Sequence, residues 1–143
     1  MNDQQKVSFE QHIPDVLVGL NGIHQVIDSH NLDRTLYHLI LLRASQLNGC
    51  DYCIELHTRE AIEDGEKTER LDQLTNWRES SLYSPSEKVA FKWTEALTQL
   101  ENGKNLACFR NSLRKYFSDK QISLITVNIA MINLWNRIQV SNH

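Results

Sequence analysis

Cys50, Cys53 and His57 are the residues of this chain whose types and spacing are best suited to chemistry. The second cysteine follows the first by three positions and the histidine follows by four more, so on a helix all three side chains share one stripe. Two neighbouring thiols and an imidazole form a dithiol redox site, in which a thiolate is the nucleophile and the second thiol closes a disulfide. The spacing therefore predicts a compact redox cluster.

The dipeptide Asn48-Gly49 precedes the first cysteine and predicts where the helix that carries the cluster begins. A glycine at this point ends the preceding helix, and a new helix then starts near Cys50. The N-terminus of a helix carries partial positive charge, which favours a thiolate over a thiol. We therefore expect one of the two sulfurs to be unusually reactive.

Helices must position this cluster, because no stretch of useful length shows the apolar–polar alternation of a strand. The apolar periodicity predicts a helix over residues 12–29, a second over 34–47 with Asp33 as N-cap, and a third over 50–63. Further helices are expected over residues 68–77, 87–100, 106–116 and 122–140. The fold class is therefore all-α, a helical bundle with the CxxC pair at the N-terminus of a core helix.

Length, charge and cysteine content limit the class of protein. A chain of 143 residues is the size of one domain with its own core, so we expect a single domain over residues 1–143. A net charge of -3 provides no basic surface for phosphates, which argues against nucleic acid as a partner. Three cysteines, two of them in one CxxC, do not form the disulfide framework of a secreted domain.

The distribution of apolar residues argues against a membrane partner. No apolar run approaches the roughly 18 residues that a spanning helix needs. The segment from Met1 to Glu10 is polar and lacks the apolar middle of a signal peptide. We therefore expect a cytoplasmic protein, in which a CxxC pair is catalytic, redox-active or metal-binding.

The segment around the cysteines, residues 39–61, resembles a known family. It matches the pattern Asn-Gly-Cys-x-x-Cys-x-x-x-His completely. In this it resembles the core of the alkyl hydroperoxidase D (AhpD)-like branch of the carboxymuconolactone decarboxylase superfamily. Residues 77–79, 87–98 and 132–137 also look like peroxidase-related members, so the resemblance covers most of the chain.

This resemblance implies an AhpD-like helical fold that assembles into trimers or hexamers. It also implies a peroxiredoxin-type oxidoreductase that reduces organic hydroperoxides without haem, flavin or another cofactor and without a bound metal. By position, Cys53 is then the peroxidatic thiol, Cys50 the resolving thiol and His57 part of a proton relay. The resulting disulfide would be reduced by an external dithiol or a thioredoxin-like protein.

His38 occupies a position, twelve residues before the first cysteine, at which the family usually has a glutamate as the far end of the relay. A histidine also accepts and passes a proton near neutral pH, so His38 is a weaker relay candidate with a different pH profile. The alternative is a histidine at the edge of the core that is satisfied by a backbone carbonyl.

Other interpretations of the same residues stay open. CxxC with a histidine can supply three ligands to a structural zinc ion, with Cys108 or a distant histidine as the fourth, and the cysteines can also be a buried structural pair. A decarboxylase acting on a carboxymuconolactone-type lactone is the second enzyme hypothesis, although that branch of the superfamily lacks the cysteine pair. The third hypothesis is a redox-sensing module whose oxidation alters assembly without turnover.

Several further residues are expected to be structural. Cys108 is predicted to be a small buried hydrophobe, and the charges between Arg59 and Arg70 to form a solvated face. Asn136 and Arg137 are expected to neutralise helix-end carbonyls or to pair with a carboxylate across a subunit interface. The tryptophans are expected in the core rather than in a substrate pocket: Trp77, Trp93 and Trp135.

Overall fold

The protein, described here by a computed structural model over residues 5–143, is built from α-helices and one 3₁₀ turn in that range. Residues 1–4 lie outside the described range. They are the start of the polar segment from Met1 to Glu10, in which we expected no signal peptide. The helices in chain order are α1 (Phe9–His12), α2 (Pro14–Asp28), α3 (Arg34–Leu47), α4 (Asp51–Glu63), α5 (Thr68–Asp72), α6 (Pro85–Thr98), α7 (Leu106–Leu113) and α8 (Asp119–Val140).

The two helices predicted to surround the cysteines are confirmed at or beside their predicted ends. α3 begins at Arg34, and the carboxylate of Asp33 caps it by accepting the backbone N–H of Leu36 at 3.0 Å. α4 begins one residue later than predicted, because Cys50 is its N-cap rather than its first residue. Between the helices Gly49 has a φ of 62°, a left-handed conformation that favours glycine, and it turns the chain from α3 into α4.

The helix predicted over residues 12–29 is divided at Ile13. The ring of Pro14 disfavours the α conformation in the residue before it, and Ile13 has φ -137° and ψ 52°. Pro14 then occupies the first turn of α2, as predicted. Within α2 burial is confined to Ile27, so most apolar side chains of this helix face outward.

Of the later helices, α6 and α8 begin two and three residues before the predicted positions 87 and 122, directly after their capping serines, and α8 ends at the predicted Val140 while the others end early. Ser84 with Glu87, and Ser118 with Gln121, form capping boxes at the starts of α6 and α8. The helix predicted over residues 68–77 is shortened to α5 and followed by a 3₁₀ turn, Leu74–Asn76. α6 and α7 end two and three residues before the predicted positions 100 and 116. The periodicity of apolar residues therefore located the elements better than their C-terminal ends.

Two groups of buried apolar side chains hold the helices together. The larger includes Ile40 of α3, Trp93 of α6 and Ile129 of α8. The second contains further α3 residues and centres on Trp77 and Phe91, whose rings pack edge to face at 5.5 Å. α3 and α6 contribute to both groups, and α3, which packs against α4, α6 and α8, is the central helix. Trp77 and Trp93 are core residues, as predicted.

The charges between Arg59 and Arg70 do not all form the solvated face that we predicted. Arg70 donates from Nε to Glu66 at 3.0 Å and from Nη2 to Glu87 at 2.5 Å, and it also reaches the carbonyl of Leu82. The Glu66 side chain is only 6% exposed. The prediction was wrong for Glu66 and Arg70 because these side chains tie α5 to the start of α6.

No helix in residues 5–143 is both long and apolar enough to span a bilayer.

Candidate active site

Cys50 and Cys53 lie at the N-terminus of α4, where a disulfide joins them with their Cα atoms 5.3 Å apart. Both residues are buried, with exposures of 0% and 3%. α4 packs against the central helix α3, so the prediction of a CxxC pair at the start of a core helix is confirmed. The two sulfurs are close enough to cycle between dithiol and disulfide without a large movement of the backbone.

The two sulfurs have different surroundings. The Cys50 sulfur accepts the backbone N–H of Cys53 at 3.4 Å and so occupies the N-cap position of α4. The positive end of the helix dipole therefore favours the thiolate of Cys50 when the disulfide is reduced. Cys53 instead lies one turn before His57 on the same helix. Each sulfur thus has its own source of stabilisation as an anion.

A buried amide network from α8 holds the turn that precedes the cysteines. The side-chain nitrogen of Asn48 donates to the Oδ1 atoms of Asn133 and Asn136, each at 2.9 Å. Asn136 in turn donates to the hydroxyl of Ser45 at 3.0 Å, and the Ser45 carbonyl accepts the N–H of Cys50 at 3.1 Å. The C-terminal helix therefore fixes the backbone from which α4 begins.

This network gives Asn136 a different position from the one we expected. Asn136 is fully buried rather than at a helix end or a subunit surface. Arg137 is exposed and donates to the carbonyl and to Oδ1 of Asn133, within α8 rather than at its end, so this is not the helix-end contact that we predicted. The signal in the sequence is the occurrence of asparagines within the apolar run of α8, because a buried amide needs polar partners.

His57 is mostly buried beside the cysteines, with a side chain that is 13% exposed. Its Nδ1 lies 3.4 Å from Glu60 Oε2 but makes no hydrogen bond to any described residue. Burial lowers the pKa of His57, and the charges of His38 and His24 lower it further, while Glu60 opposes them. The imidazole is therefore neutral at neutral pH and suited to accept a proton.

His38 lies in α3 with an exposure of 1%, and its Nε2 is 2.6 Å from Oδ2 of Asp64. Asp64 directly follows the last residue of α4. The hydrogen bond from His38 is the main cause that lowers the pKa of the Asp64 carboxyl. The alternative of a backbone carbonyl partner for His38 is therefore wrong, since its partner is a carboxylate.

A cavity of about 720 Å³ opens beside Cys53 and His57. Among the described residues Cys53 belongs to its lining and Cys50 does not. A molecule in the cavity therefore meets Cys53 rather than Cys50. The walls are largely apolar and come from α2, α3, α4 and α8: Leu17, Leu41, Leu56, Ile132 and Trp135.

Trp135 and Glu60 line this cavity, although we expected them elsewhere. Trp135 was predicted in the core, but its Nε1 donates to Nε2 of His24 at 2.5 Å across the cavity wall. Glu60 was predicted on a solvated face; its side chain is 41% exposed and also lies beside His57. Helical periodicity identifies the faces of α4 and α8 but not which face borders a cavity.

Cys108 lies outside this site and is exposed. The prediction of a buried hydrophobe was wrong because α7, eight residues long, buries Leu113 and turns the side that carries Cys108 to solvent. In the part of the chain that the structure describes, no three His, Cys, Asp or Glu side chains are arranged to hold a metal ion.

Comparisons with known proteins agree with this helical arrangement. The model of the carboxymuconolactone decarboxylase family matches residues 14–96. The chain is also 31% identical over 137 residues to the uncharacterized protein YdfG of Bacillus subtilis (strain 168), with 96% of this chain and 93% of YdfG covered.

Solved structures of other proteins share the fold of this chain. ATU0492 from Agrobacterium tumefaciens, a protein of unknown function proposed to be an antioxidant defence protein AhpD, is 34% identical with a TM-score of 0.89, covering 95% of this chain and 93% of ATU0492. The debrominase Bmp8 is 21% identical with a TM-score of 0.80, covering 90% of this chain and 69% of Bmp8, and at that identity the likeness shows the fold alone. The all-α, AhpD-like fold that the sequence predicted is thereby confirmed.

Proposed function

The chain belongs to the carboxymuconolactone decarboxylase family, and on that premise we propose that it is a thiol-dependent peroxidase that reduces organic hydroperoxides through a Cys50–Cys53 dithiol/disulfide cycle. The observation that carries the proposal is the position of Cys53. It is the disulfide partner of Cys50, it lines an apolar cavity, and it lies one turn from a buried imidazole. A hydroperoxide in that cavity has a nucleophile and a proton acceptor on the same wall.

In the reduced protein Cys53 is the peroxidatic thiol. His57, whose pKa is lowered by burial, accepts the thiol proton of Cys53. The thiolate attacks the terminal oxygen of the hydroperoxide, the O–O bond breaks, and its electron pair leaves with the alkoxide. The alkoxide takes the proton from His57 and becomes the alcohol, while Cys53 is oxidised by two electrons to a sulfenic acid.

Cys50 is the resolving thiol in the second step. Its sulfur attacks the sulfur of the Cys53 sulfenic acid, the S–O bond breaks, and the leaving hydroxide takes the Cys50 proton to form water. The product is the disulfide seen at the start of α4. The side-chain geometry needed for this step is already present, since the two Cα atoms are 5.3 Å apart.

An external dithiol, either a small molecule or a thioredoxin-like protein, completes the cycle. One of its thiolates attacks Cys53 from the cavity, and Cys50 leaves as a thiolate that the N-terminus of α4 stabilises. The second thiol of the reductant then closes its own disulfide and releases Cys53. The net reaction converts one hydroperoxide and one dithiol into an alcohol, water and a disulfide, without haem or flavin.

The test is steady-state consumption of cumene hydroperoxide with dithiothreitol as reductant. We expect turnover in the wild type and none above background in Cys53→Ser and Cys50→Ser. Cys108→Ser is the matched control, because this exposed cysteine lies outside the site and its loss should leave turnover unchanged. If the wild type consumes one equivalent of peroxide and then stops although reductant is present, the peroxidase hypothesis is wrong and the redox-sensing module is favoured.

We also propose that the protein is a homo-oligomer, either a trimer or a hexamer. Apolar side chains on α2 are exposed, with Val18 at 70% and Val26 at 63%. Such an outward apolar helix is the kind of surface that a subunit contact covers. Light scattering should give a mass of three or six chains for the wild type and a smaller mass for Val18→Asp. A monomeric wild type would contradict the proposal.

A further inference from the structure

His38 and Asp64 form a pair that reaches from the interior between α3 and α4 to the surface. The His38 side chain is 1% exposed and that of Asp64 is 45% exposed, while Nε2 and Oδ2 are 2.6 Å apart. His38 lies in the second turn of α3, and Asp64 is the C-cap of α4. The pair therefore joins the two helices that build the candidate active site.

The charge of Asp64 determines which nitrogen of His38 carries the hydrogen. The hydrogen bond from His38 and the nearby guanidinium of Arg34 hold the pKa of Asp64 below its ordinary value. The carboxylate is therefore ionised at neutral pH and can only accept hydrogen bonds, so Nε2 of His38 must donate. In a neutral imidazole the lone pair is then on Nδ1, and this atom is buried without a partner among residues 5–143.

Asp64 shares one side of α4 with the residues of the proposed chemistry. Cys53 and His57 are four residues apart, and His57 and Asp64 are seven apart, so about 3.6 residues per turn bring all three onto one stripe. α3 packs against α4, and Nδ1 of His57, like Nδ1 of His38, is buried without a hydrogen-bond partner among the described residues. His57 thus lies between Cys53 and the His38–Asp64 pair.

We propose that Asp64 is a positioning residue for His38. It fixes the imidazole with hydrogen on Nε2, so that Nδ1 is a free base facing the interior, and it stabilises the imidazolium after Nδ1 takes a proton. The Cys53 thiol releases this proton, which passes through His57 to Nδ1 of His38. It returns along the same route to the alkoxide. This inference rests on the proposed peroxidase function.

The ionisable groups around Asp64, Tyr37 and His57 belong in any interpretation of the pH dependence of the pair. Arg34 and Tyr37 come from α3, and His57 and Glu60 from α4. Helix α2 adds two more, His24 and Asp28. Within residues 5–143, Asp64 is the negatively charged residue that hydrogen-bonds to the His38 side chain. A substitution at Asp64 therefore removes the charge that meets the ring directly.

The test compares Asp64→Asn with the wild type. The amide keeps the shape and can still accept from Nε2, but it removes the charge that stabilises the imidazolium. We expect the rate of Cys53 oxidation by cumene hydroperoxide to fall about tenfold or more with KM nearly unchanged. Glu63→Gln is the matched control, because it removes the same charge from an exposed neighbour at the same helix end and should leave the rate within about twofold.

A second background separates positioning from a general structural role. His38→Glu places a carboxylate directly at the relay position, where no imidazole needs orientation. In that background Asp64→Asn should change the rate by less than about twofold. Equal losses in both backgrounds, or no loss in the wild-type background, would overturn the proposal.

Two measurements do not depend on peroxidase activity. Nitrogen-15 NMR of the histidine side chains should place the hydrogen of His38 on Nε2 in the wild type and give a mixed tautomer in Asp64→Asn. Alkylation of Cys53 by iodoacetamide in the reduced protein should slow in the same variant. If the wild type has no turnover while both effects persist, the peroxidase function fails and the positioning role stands. If neither effect is present, the positioning role fails whatever the activity.

Discussion

Asn136 of α8 and Asn48 of the turn before the cysteines are joined by a partly buried hydrogen bond of 2.9 Å, although 88 positions separate them in the chain. The same Asn136 side chain donates to Ser45 at the end of α3. One amide therefore connects the end of one helix, the turn and the last helix. The position of the two thiols depends on a residue far away in sequence.

Replacing Asn136 by alanine should destabilise the fold and disturb the site. The variant removes the hydrogen bonds of Asn136 to the Ser45 hydroxyl and the Asn48 amide, each worth about 1 kcal/mol, and leaves a small cavity. Ser45 and Asn48 keep their hydrogen bonds to the Leu41 carbonyl and to Asn133. We expect the free energy of unfolding to fall by about 2–3 kcal/mol. Urea unfolding of the oxidised protein measures the change.

Asn111→Ala is the matched control for that variant, because it makes the same chemical change at an exposed position of α7. Its effect should stay within about 0.5 kcal/mol. Equal losses of stability in the two variants would mean that the buried amide network contributes nothing specific.

The oxidised protein should have one reactive thiol. Cys50 and Cys53 are joined, and Cys108 is the free cysteine of the described chain, on an exposed position. Titration with Ellman's reagent should therefore give about one thiol for the wild type and none for Cys108→Ser. After reduction with a dithiol, which is then removed, Cys108→Ser should give about two. A value of two or more before reduction would contradict the disulfide.

Local sequence signals determined the helices around the site. Asp33 and Gly49 are a cap and a left-handed turn residue, whose effects depend on the backbone within a few positions, and so α3 and the start of α4 could be predicted. The stripe of Cys50, Cys53 and His57 follows from the helical repeat alone. These predictions needed no knowledge of how the helices pack.

The remaining features of the site depend on packing between helices and could not be predicted in this way. The contact between His38 and Asp64 crosses from α3 to α4, and that between Trp135 and His24 crosses from α8 to α2. Helical periodicity gives the face of each helix but not its neighbour, so the cavity and the partner of His38 were missed. Cys108 was misplaced for the same reason, since the face of α7 that carries it meets no other helix.

The cavity should discriminate against negatively charged hydroperoxides. Glu60 and Glu10 line it, and its described lining contains no lysine or arginine. A carboxylate on the substrate is therefore repelled, although solvent screens the effect because the Glu60 side chain is 41% exposed. We expect Glu60→Gln to raise kcat/KM for a carboxylate-bearing hydroperoxide about five- to tenfold relative to cumene hydroperoxide, or roughly 1 kcal/mol.

The ratio between the two substrates is the relevant measurement, since Glu60 also lies 3.4 Å from His57 and its loss changes the base for both. Glu63→Gln serves as control, because Glu63 is on the same helix but outside the cavity lining. An unchanged ratio in Glu60→Gln would show that this carboxylate does not select substrates.

Stability of the folded protein should fall as the pH decreases through the range in which histidine titrates. Burial lowers the pKa of His57 below its ordinary value of 6.5, so the unfolded chain takes up a proton at a pH where the folded protein does not. Since the unfolded state then binds more protons, the free energy of unfolding decreases with decreasing pH. The stabilisation is fully present above 6.5 and is lost as the pH falls toward the lowered pKa of His57.

His57→Gln should reduce the pH dependence of unfolding between about pH 7.5 and 5.5, measured by urea denaturation of the oxidised protein. This window excludes the carboxyl groups with lowered pKa, Asp64, Glu87 and Glu95, because their ordinary values are 3.8 to 4.5 and they act at more acidic pH. His30→Gln, at an exposed position, should keep the wild-type slope. The same slope in His57→Gln and in the wild type would mean that burial of this imidazole does not resist protonation, and His57 would then lose its place as the proton acceptor for Cys53.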